Sequence, residues 1–83
     1  MSPTVHLEDG FQFQFWSNEG GEPPHVHVKK AGAEGKWWLD PVREYRNDGF
    51  NPSQRRRIRD ILMEHREAML ERWYETFGKA SDD

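Results

Sequence analysis

The chain has 83 residues, a formal net charge of −3 at pH 7 and no cysteine. This length corresponds to one domain near the small end for a self-sufficient core. The absence of cysteine excludes a disulfide framework and thiolate chemistry, and the mild acidity argues against strong nonspecific binding to nucleic acid. We predict a single domain over residues 1–83, with a core at 4–78 and a frayed tail at 79–83.

The hydrophobic content is low, but four Trp, five Phe and two Tyr predict an aromatic-rich core. The first ten residues lack a basic region followed by an apolar run, so we expect no signal peptide. No apolar run reaches the roughly 18 residues that a membrane-spanning helix requires. We therefore expect a cytoplasmic protein.

The segment TVHLEDGFQFQFW, residues 4–16, predicts a β-hairpin. A three-residue loop, Glu8-Asp9-Gly10, would pair Leu7 with Phe11 and Val5 with Phe13. This register places on one face the apolar residues Val5, Leu7, Phe11, Phe13 and Phe15. The other face then carries His6, Gln12 and Gln14.

The second half of the predicted sheet begins after the turn segment SNEGGEPP, residues 17–24. The alternation in HVHVK predicts a strand in which Val26 and Val28 join the apolar face and His25, His27 and Lys29 face the opposite way. KAGAEG is predicted as a loop, KWWLD as a strand with one Trp on each face, and VREY as a short edge strand.

A long helix follows. Asn51 is the predicted N-cap, with Pro52 at the first helical position and Gln54 completing a capping box. Apolar residues recur at helical spacing as far as Phe77, and Gly78 is the predicted C-cap. The predicted fold is α+β, an antiparallel β-meander of four or five strands with one long C-terminal α-helix packed on one face.

The polar sheet face is the predicted working surface. A solvated face is ordinary for an antiparallel sheet, but two histidines two residues apart also suggest chemistry. The predicted binding residues are His6, Gln12, Gln14, His25, His27, Lys29, Trp38, Arg55, Arg56 and Arg59. We assign no catalytic residue and no cofactor.

Two chemical alternatives exist for this face. A metal could be held by His25 and His27 with His6 as a third ligand, but we expect no tightly bound metal because His6 depends on the inferred register. Alternatively, the two histidines could act as general acid and base of a ribonuclease, with Lys29 or Lys36 stabilising phosphate charge and Trp38 stacking a base.

The helix offers further candidates. His65 lies in the apolar stripe and is predicted to be a core histidine, outside the site. Arg55, Arg56, Arg57 and Arg59 crowd the helix N-terminus, where the dipole disfavours cations, so an acidic protein or RNA could meet them. Met63, Leu70 and Tyr74 widen the apolar arc, which a homodimer or partner contact would explain, as would a helix that the sheet wraps strongly.

The segments FQFQFWSNEGGEPPHVHVKK, KWWLDP and LERWYETF resemble the small bacterial family called domain of unknown function 4160. The resemblance covers roughly residues 5–78, and Pro23, Pro24, His25, His27 and Trp73 match positions of its motif. This chain carries EGGE before the prolines, where members often have Asp or His, so no additional metal ligand is carried over there.

Members of the family often occur beside genes for another small domain, in arrangements like toxin–antitoxin pairs, which implies a protein partner. We therefore expect a bacterial protein that acts through a protein partner encoded by an adjacent gene, with RNA as a lesser candidate. The alternatives are a His-dependent or metal-dependent ribonuclease and a phage- or plasmid-borne inhibitor of a host complex.

Overall fold

Each strand of the sheet pairs antiparallel with the strand that precedes or follows it in the sequence. A computed structural model describes residues 4–78, so the predicted frayed tail lies outside the described residues. The strands are β1 (Thr4–Glu8), β2 (Phe11–Gln14), β3 (His25–Lys30), β4 (Ala33–Leu39) and β5 (Val42–Asp48), in that spatial order. The helix α1 (Pro52–Phe77) follows them. The predicted α+β meander with one C-terminal helix is confirmed.

The first hairpin closes with a two-residue turn, and the predicted three-residue loop is wrong. Asp9 and Gly10 both have positive φ, 52° and 81°, as the type I′ turn favoured by Asp-Gly requires. Leu7 therefore pairs with Gln12 instead of Phe11 and is 69% exposed. The conformational preference of the turn outweighs the burial of one leucine.

The same register moves His6 to the sheet face that α1 covers. His6 pairs with Phe13, and their ring centroids lie 5.7 Å apart. The prediction that His6 shares a face with the two histidines of β3 is therefore wrong. A bulge between Thr4 and His6 lets Val5 pack against the core as predicted, because its extra residue shifts the alternation by one position.

Strand β4 begins within the segment that we predicted as a loop. Only Ala31 and Gly32 form the turn, with φ of 48° and 87°. Gly35 is a buried strand residue, and a Cβ there would lie 2.6 Å from the ring of Trp37 and 2.6 Å from the carbonyl oxygen of Arg46. The missing side chain makes room for Trp37. Strand β5 is longer than the predicted VREY and forms one edge of the sheet.

The helix begins and ends as predicted. The Asn51 side chain accepts a hydrogen bond from the Gln54 backbone, the Gln54 side chain accepts one from the Asn51 backbone, and Pro52 occupies the first turn. These contacts satisfy backbone groups that a helix N-terminus leaves free. The amide of Gly78 donates to the carbonyl of Tyr74 at the other end.

The core lies between α1 and one face of the sheet, which we call the inner face. Its sheet residues alternate as predicted, with Phe11, Phe13, Val26 and Val28 buried. Trp37 is buried on this face while Trp38 is half-buried on the other. The buried helix residues are Ile58, Ile61, Leu62, Met69 and Trp73. Within residues 4–78, no helix combines the length and the apolar character needed to cross a membrane.

Trp73 anchors the last turns of α1 to the sheet. Its side chain is 2% exposed, and its ring centroid lies 5.3 Å from that of Phe15 and 4.2 Å from that of Phe77. It also lies 5.0 Å from the ring of His25. Trp73 therefore joins the aromatic core to the start of β3.

Replacing Trp73 with Ala should lower the free energy of unfolding by about 3–5 kcal/mol, because the change opens a large cavity among aromatic rings. Urea denaturation measures this directly. Arg72→Ala, one residue away and exposed, is the matched control and should change stability by no more than about 0.5 kcal/mol. Equal effects of the two changes would contradict the anchoring role of Trp73.

Candidate functional site

Strand β3 places two histidines on the sheet face opposite α1, which we call the outer face. Val26 and Val28 point into the core, so His25 and His27 alternate to the other side. His27 pairs with Gln14 of β2 and Lys36 of β4. Because β3 is the central strand, His27 has a sheet neighbour on each side, whereas His25 pairs only with Trp38 of β4.

The segment joining β2 to β3, residues 15–24, folds over these histidines. His25 is 0% exposed and His27 is 1% exposed, so the predicted solvated histidine face is wrong at these two positions. The ring of Trp16 stacks on His27, with centroids 3.6 Å apart and planes 7° from parallel. The sequence analysis predicted residues 17–24 only as a turn. A connection of this length can fold over the polar face of a sheet and bury part of it.

A single carboxylate oxygen meets both imidazoles. Oε1 of Glu19 lies 2.7 Å from Nε2 of His25 and 2.8 Å from Nε2 of His27. The amide of Glu22 donates to the Glu19 carbonyl at 3.1 Å, which holds Glu19 in a tight turn. We call these three residues the Glu19–His25–His27 cluster.

The second nitrogen of each ring differs in its surroundings. Nδ1 of His25 lies 2.9 Å from the carbonyl oxygen of Pro23. A carbonyl oxygen only accepts hydrogen bonds, so Nδ1 of His25 carries a proton. Nδ1 of His27 is buried with no hydrogen-bond partner among the described residues. His25 is thus oriented through both nitrogens and His27 through one.

Burial and hydrogen bonding oppose each other in this cluster. Burial lowers the pKa of His27, and the hydrogen bond with Glu19 opposes that effect without cancelling it. Burial acts to raise the pKa of Glu19, but the hydrogen bonds with His25 and His27 outweigh it, so the pKa lies below the usual value. The cluster therefore favours an ionised carboxylate beside a neutral His27.

An aromatic and cationic group adjoins the cluster on the outer face. Nζ of Lys36 lies 2.6 Å from Oε1 of Glu22 and 4.9 Å from the ring centroids of both Trp38 and Tyr45. Trp38 also meets the ring of His25 edge-on at 5.7 Å. Tyr45 is 60% exposed, so this group reaches the surface.

The structure brings together six of the predicted binding residues. Those on the outer face are Gln12, Gln14, His25, His27, Lys29 and Trp38. The arginines lie apart, at the start of α1. Arg55 makes two hydrogen bonds to Glu44 of β5, at 2.8 and 3.2 Å. Arg56 and Arg59 line a shallow depression between α1 and β5.

His6 belongs to a second cluster, between β1 and α1. Oε1 of Glu8 lies 2.9 Å from Nε2 of His6 and 3.2 Å from Nε2 of His65. His65 is half-buried at this edge, so the prediction that it is a core histidine is wrong. The helix turns it toward β1, where Glu8 provides an acceptor. Nη2 of Arg57 also donates a hydrogen bond to Oε2 of Glu8, at 3.0 Å.

The second apolar strip of α1 is less exposed than its sequence suggests. Leu70 and Tyr74 are half-buried and pack against the core, whereas Met63 is 52% exposed. A helix lying close on a twisted sheet covers more than one narrow stripe. The homodimer contact predicted through this strip stays a prediction.

Sequence reasoning missed Glu19, Trp16, Glu22 and Tyr45. Glu19 lies six residues before His25 in a glycine-rich turn, and no local pattern indicates on which side of the sheet such a turn folds. Tyr45 is placed by the bulge between β4 and β5, which period-two alternation does not reveal. The signal that the sequence offered was the presence of two glutamates, Glu19 and Glu22, shortly before His25 and His27.

The family described as Domain of unknown function (DUF4160) matches residues 10–74 of the chain. No curated protein and no solved structure matches the chain.

Removing the Glu19 carboxylate should destabilise the fold. Glu19→Ala leaves the buried Nε2 atoms of His25 and His27 without their carboxylate partner, which should cost about 1–3 kcal/mol in urea denaturation. The control is Glu34→Ala, which removes only a surface ion pair with Arg46 at 3.9 Å and should cost less than about 1 kcal/mol. A Glu19→Ala protein as stable as the control would contradict this role.

Proposed function

Because the chain belongs to the DUF4160 family of domains of unknown function, we propose that it is a small cytoplasmic bacterial protein that acts by binding a protein partner. The partner would be the product of an adjacent gene in a toxin–antitoxin-like pair, as the gene arrangements common in the family suggest. The outer face of the sheet would be the contact surface.

The observation that carries this proposal is the distribution of exposed apolar side chains. Three large apolar side chains among residues 4–78 are more than half exposed. Two of them, Leu7 and Tyr45, lie on the outer face, at β1 and β5, the two edges of the sheet. Tyr and Trp are the residues that most often dominate binding energy at protein interfaces. Tyr45 and half-buried Trp38 supply both, in contact at 5.2 Å.

The cations on this face are paired to carboxylates only in part. Lys36 is paired with Glu22. Arg46 is paired with two carboxylates, because its Nε lies 2.9 Å from Oδ2 of Asp48 and its Nη2 lies 3.9 Å from Oε2 of Glu34. Binding to RNA relies on cations that are free to neutralise phosphates. Two further cations of this face, Lys29 and Arg43, are exposed and form no ion pair within residues 4–78. The choice of a protein partner over RNA therefore rests on the exposed aromatic side chains, which a protein partner would bury.

The ribonuclease alternative has less support. A general acid or base must come within about 2.6–3.2 Å of the proton that it transfers. His25 and His27 are buried, and their Nε2 atoms meet Glu19 beneath Trp16. An RNA backbone would have to displace this segment to reach them. An inhibitor of a host complex would use the same outer face as the proposed pair, so the identity of the partner separates those two functions.

The test is binding to the product of the adjacent gene, with the two proteins co-expressed and then titrated by calorimetry. The double variant Leu7→Ser, Tyr45→Ser should weaken the complex at least tenfold, about 1.4 kcal/mol, because both side chains would be buried in it. Met63→Ser removes the third exposed apolar side chain, on α1, and should change affinity less than twofold.

Circular dichroism should show all variants folded, since the three positions are exposed. If Met63→Ser weakens binding and the double variant does not, α1 is the interface and the proposed outer-face contact is wrong. If the two proteins do not bind at all, the proposed pair is wrong.

A further inference from the structure

Three ligand atoms suited to a transition metal converge beneath the segment at residues 15–24. They are Oε1 of Glu19 and the Nε2 atoms of His25 and His27, all within 4.8 Å of one another. We propose that the Glu19–His25–His27 cluster binds a divalent metal ion of the zinc type. This inference is independent of the proposed protein partner.

The hydrogen bonding of a neutral His25 ring directs a lone pair at the Glu19 carboxylate, an arrangement that a cation would stabilise. Nδ1 of His25 donates its proton to the carbonyl oxygen of Pro23. In a neutral ring, Nε2 then carries a lone pair, which points at the Glu19 carboxylate only 2.7 Å away. Two lone-pair atoms at that distance repel each other unless a proton or a metal ion lies between them.

The hydrogen bond from His25 to Pro23 is itself a feature of metal sites. A histidine that binds a metal usually donates its other ring N–H to a backbone carbonyl or a carboxylate, which fixes the tautomer and directs the free lone pair at the ion. Pro23 does this for His25. The carbonyl of the next residue, Pro24, accepts from the amide of Leu39 at 3.0 Å, so the backbone that orients His25 is tied to β4.

The ligand set selects the class of metal. Two imidazoles and one carboxylate suit zinc and neighbouring transition metals, whereas calcium and magnesium prefer oxygen ligands alone. Zinc sites with two His and one Glu leave a fourth position for water. Tetrahedral ligands at about 2.0–2.1 Å from zinc lie about 3.3 Å apart, so Glu19 must retreat by roughly 0.5 Å. Its side chain is 18% exposed and stands in a turn, which leaves room for that movement.

The His6–Glu8–His65 cluster provides a comparison. It has the same residue types within 4.8 Å, but its three residues are half-buried, and the second oxygen of Glu8 already bonds Arg57. A cationic guanidinium beside the carboxylate opposes a second cation. We therefore assign the metal to the Glu19–His25–His27 cluster and use the other cluster as the matched control.

Bound metal would connect the turn at Glu19 to the central strand. The ion would replace the hydrogen bonds between Glu19 and the two imidazoles with bonds to the metal. These bonds would hold the segment at residues 15–24, and with it the ring of Trp16, more firmly against His27. The expected result is a higher melting temperature for the metal-loaded protein, because an ion that binds only the folded chain stabilises it by mass action.

The test uses the full chain, purified without a histidine tag, stripped with a chelator and equilibrated with zinc. Elemental analysis should find about one zinc per chain, and the melting temperature should rise with zinc and fall again when chelator is added. Glu19→Gln keeps a hydrogen-bond acceptor at the position but lacks the charge, so it should fold, lose the zinc and show no shift. The control His6→Ala, His65→Ala should retain both the zinc and the shift.

Cobalt(II) supplies a readout that does not depend on any variant folding. Cobalt bound to the cluster should give the visible absorption of a low-coordinate nitrogen and oxygen site in the wild-type chain. Absence of stoichiometric zinc and of this spectrum in the wild type would overturn the proposal. So would equal zinc retention by Glu19→Gln, which would mark the ion as adventitious, or loss of zinc in the His6, His65 control.

Discussion

The two imidazoles buried on β3 require a polar partner, and the Glu19 carboxylate supplies it. Removing a polar group from water without a hydrogen bond costs about twice what a hydrogen bond that is formed contributes. The segment at residues 15–24 therefore cannot lift from the sheet without leaving His25 and His27 without their partner. The stacking of Trp16 on His27 and the contact of Trp73 with His25 both depend on that closed arrangement.

The two faces of the sheet differ in what covers them. The inner face is filled by aromatic and aliphatic side chains of the sheet and α1. The outer face is covered only in part, by the Glu19 segment, and carries the group formed by Lys36, Trp38 and Tyr45 beside it. A polar cluster under a loop and an aromatic surface next to that loop give a small chain two candidate sites within one domain. The segment at residues 15–24 also positions the aromatic surface. Its Glu22 is paired with Lys36, which contacts the rings of Trp38 and Tyr45.

The two hairpin turns with positive φ show how local preferences compete with burial. At Asp9-Gly10 the turn preference sets the register, exposes Leu7 and places His6 and Glu8 toward α1, where they meet His65. The three-residue loop that the hydrophobic pattern predicts would bury one more leucine. At Ala31-Gly32 the same kind of turn lengthened β4 into residues that looked like a loop. Only at the first hairpin did a short-range conformational preference outweigh an apparent gain in apolar contact.

The sequence by itself determined what depends on neighbours a few residues apart. The alternation of β3, the capping box of α1 and the spacing of its buried residues are local. The α+β meander and the facing of His25 and His27 opposite to Val26 and Val28 could therefore be predicted. Only the tertiary structure decided that His25 and His27 are buried, that Glu19 is their partner and that His6 lies on the opposite side of the sheet. Those facts depend on where a ten-residue connection lies and on which of two turns closes a hairpin. Each follows from a balance of hydrogen bonding, turn geometry and burial across the whole fold.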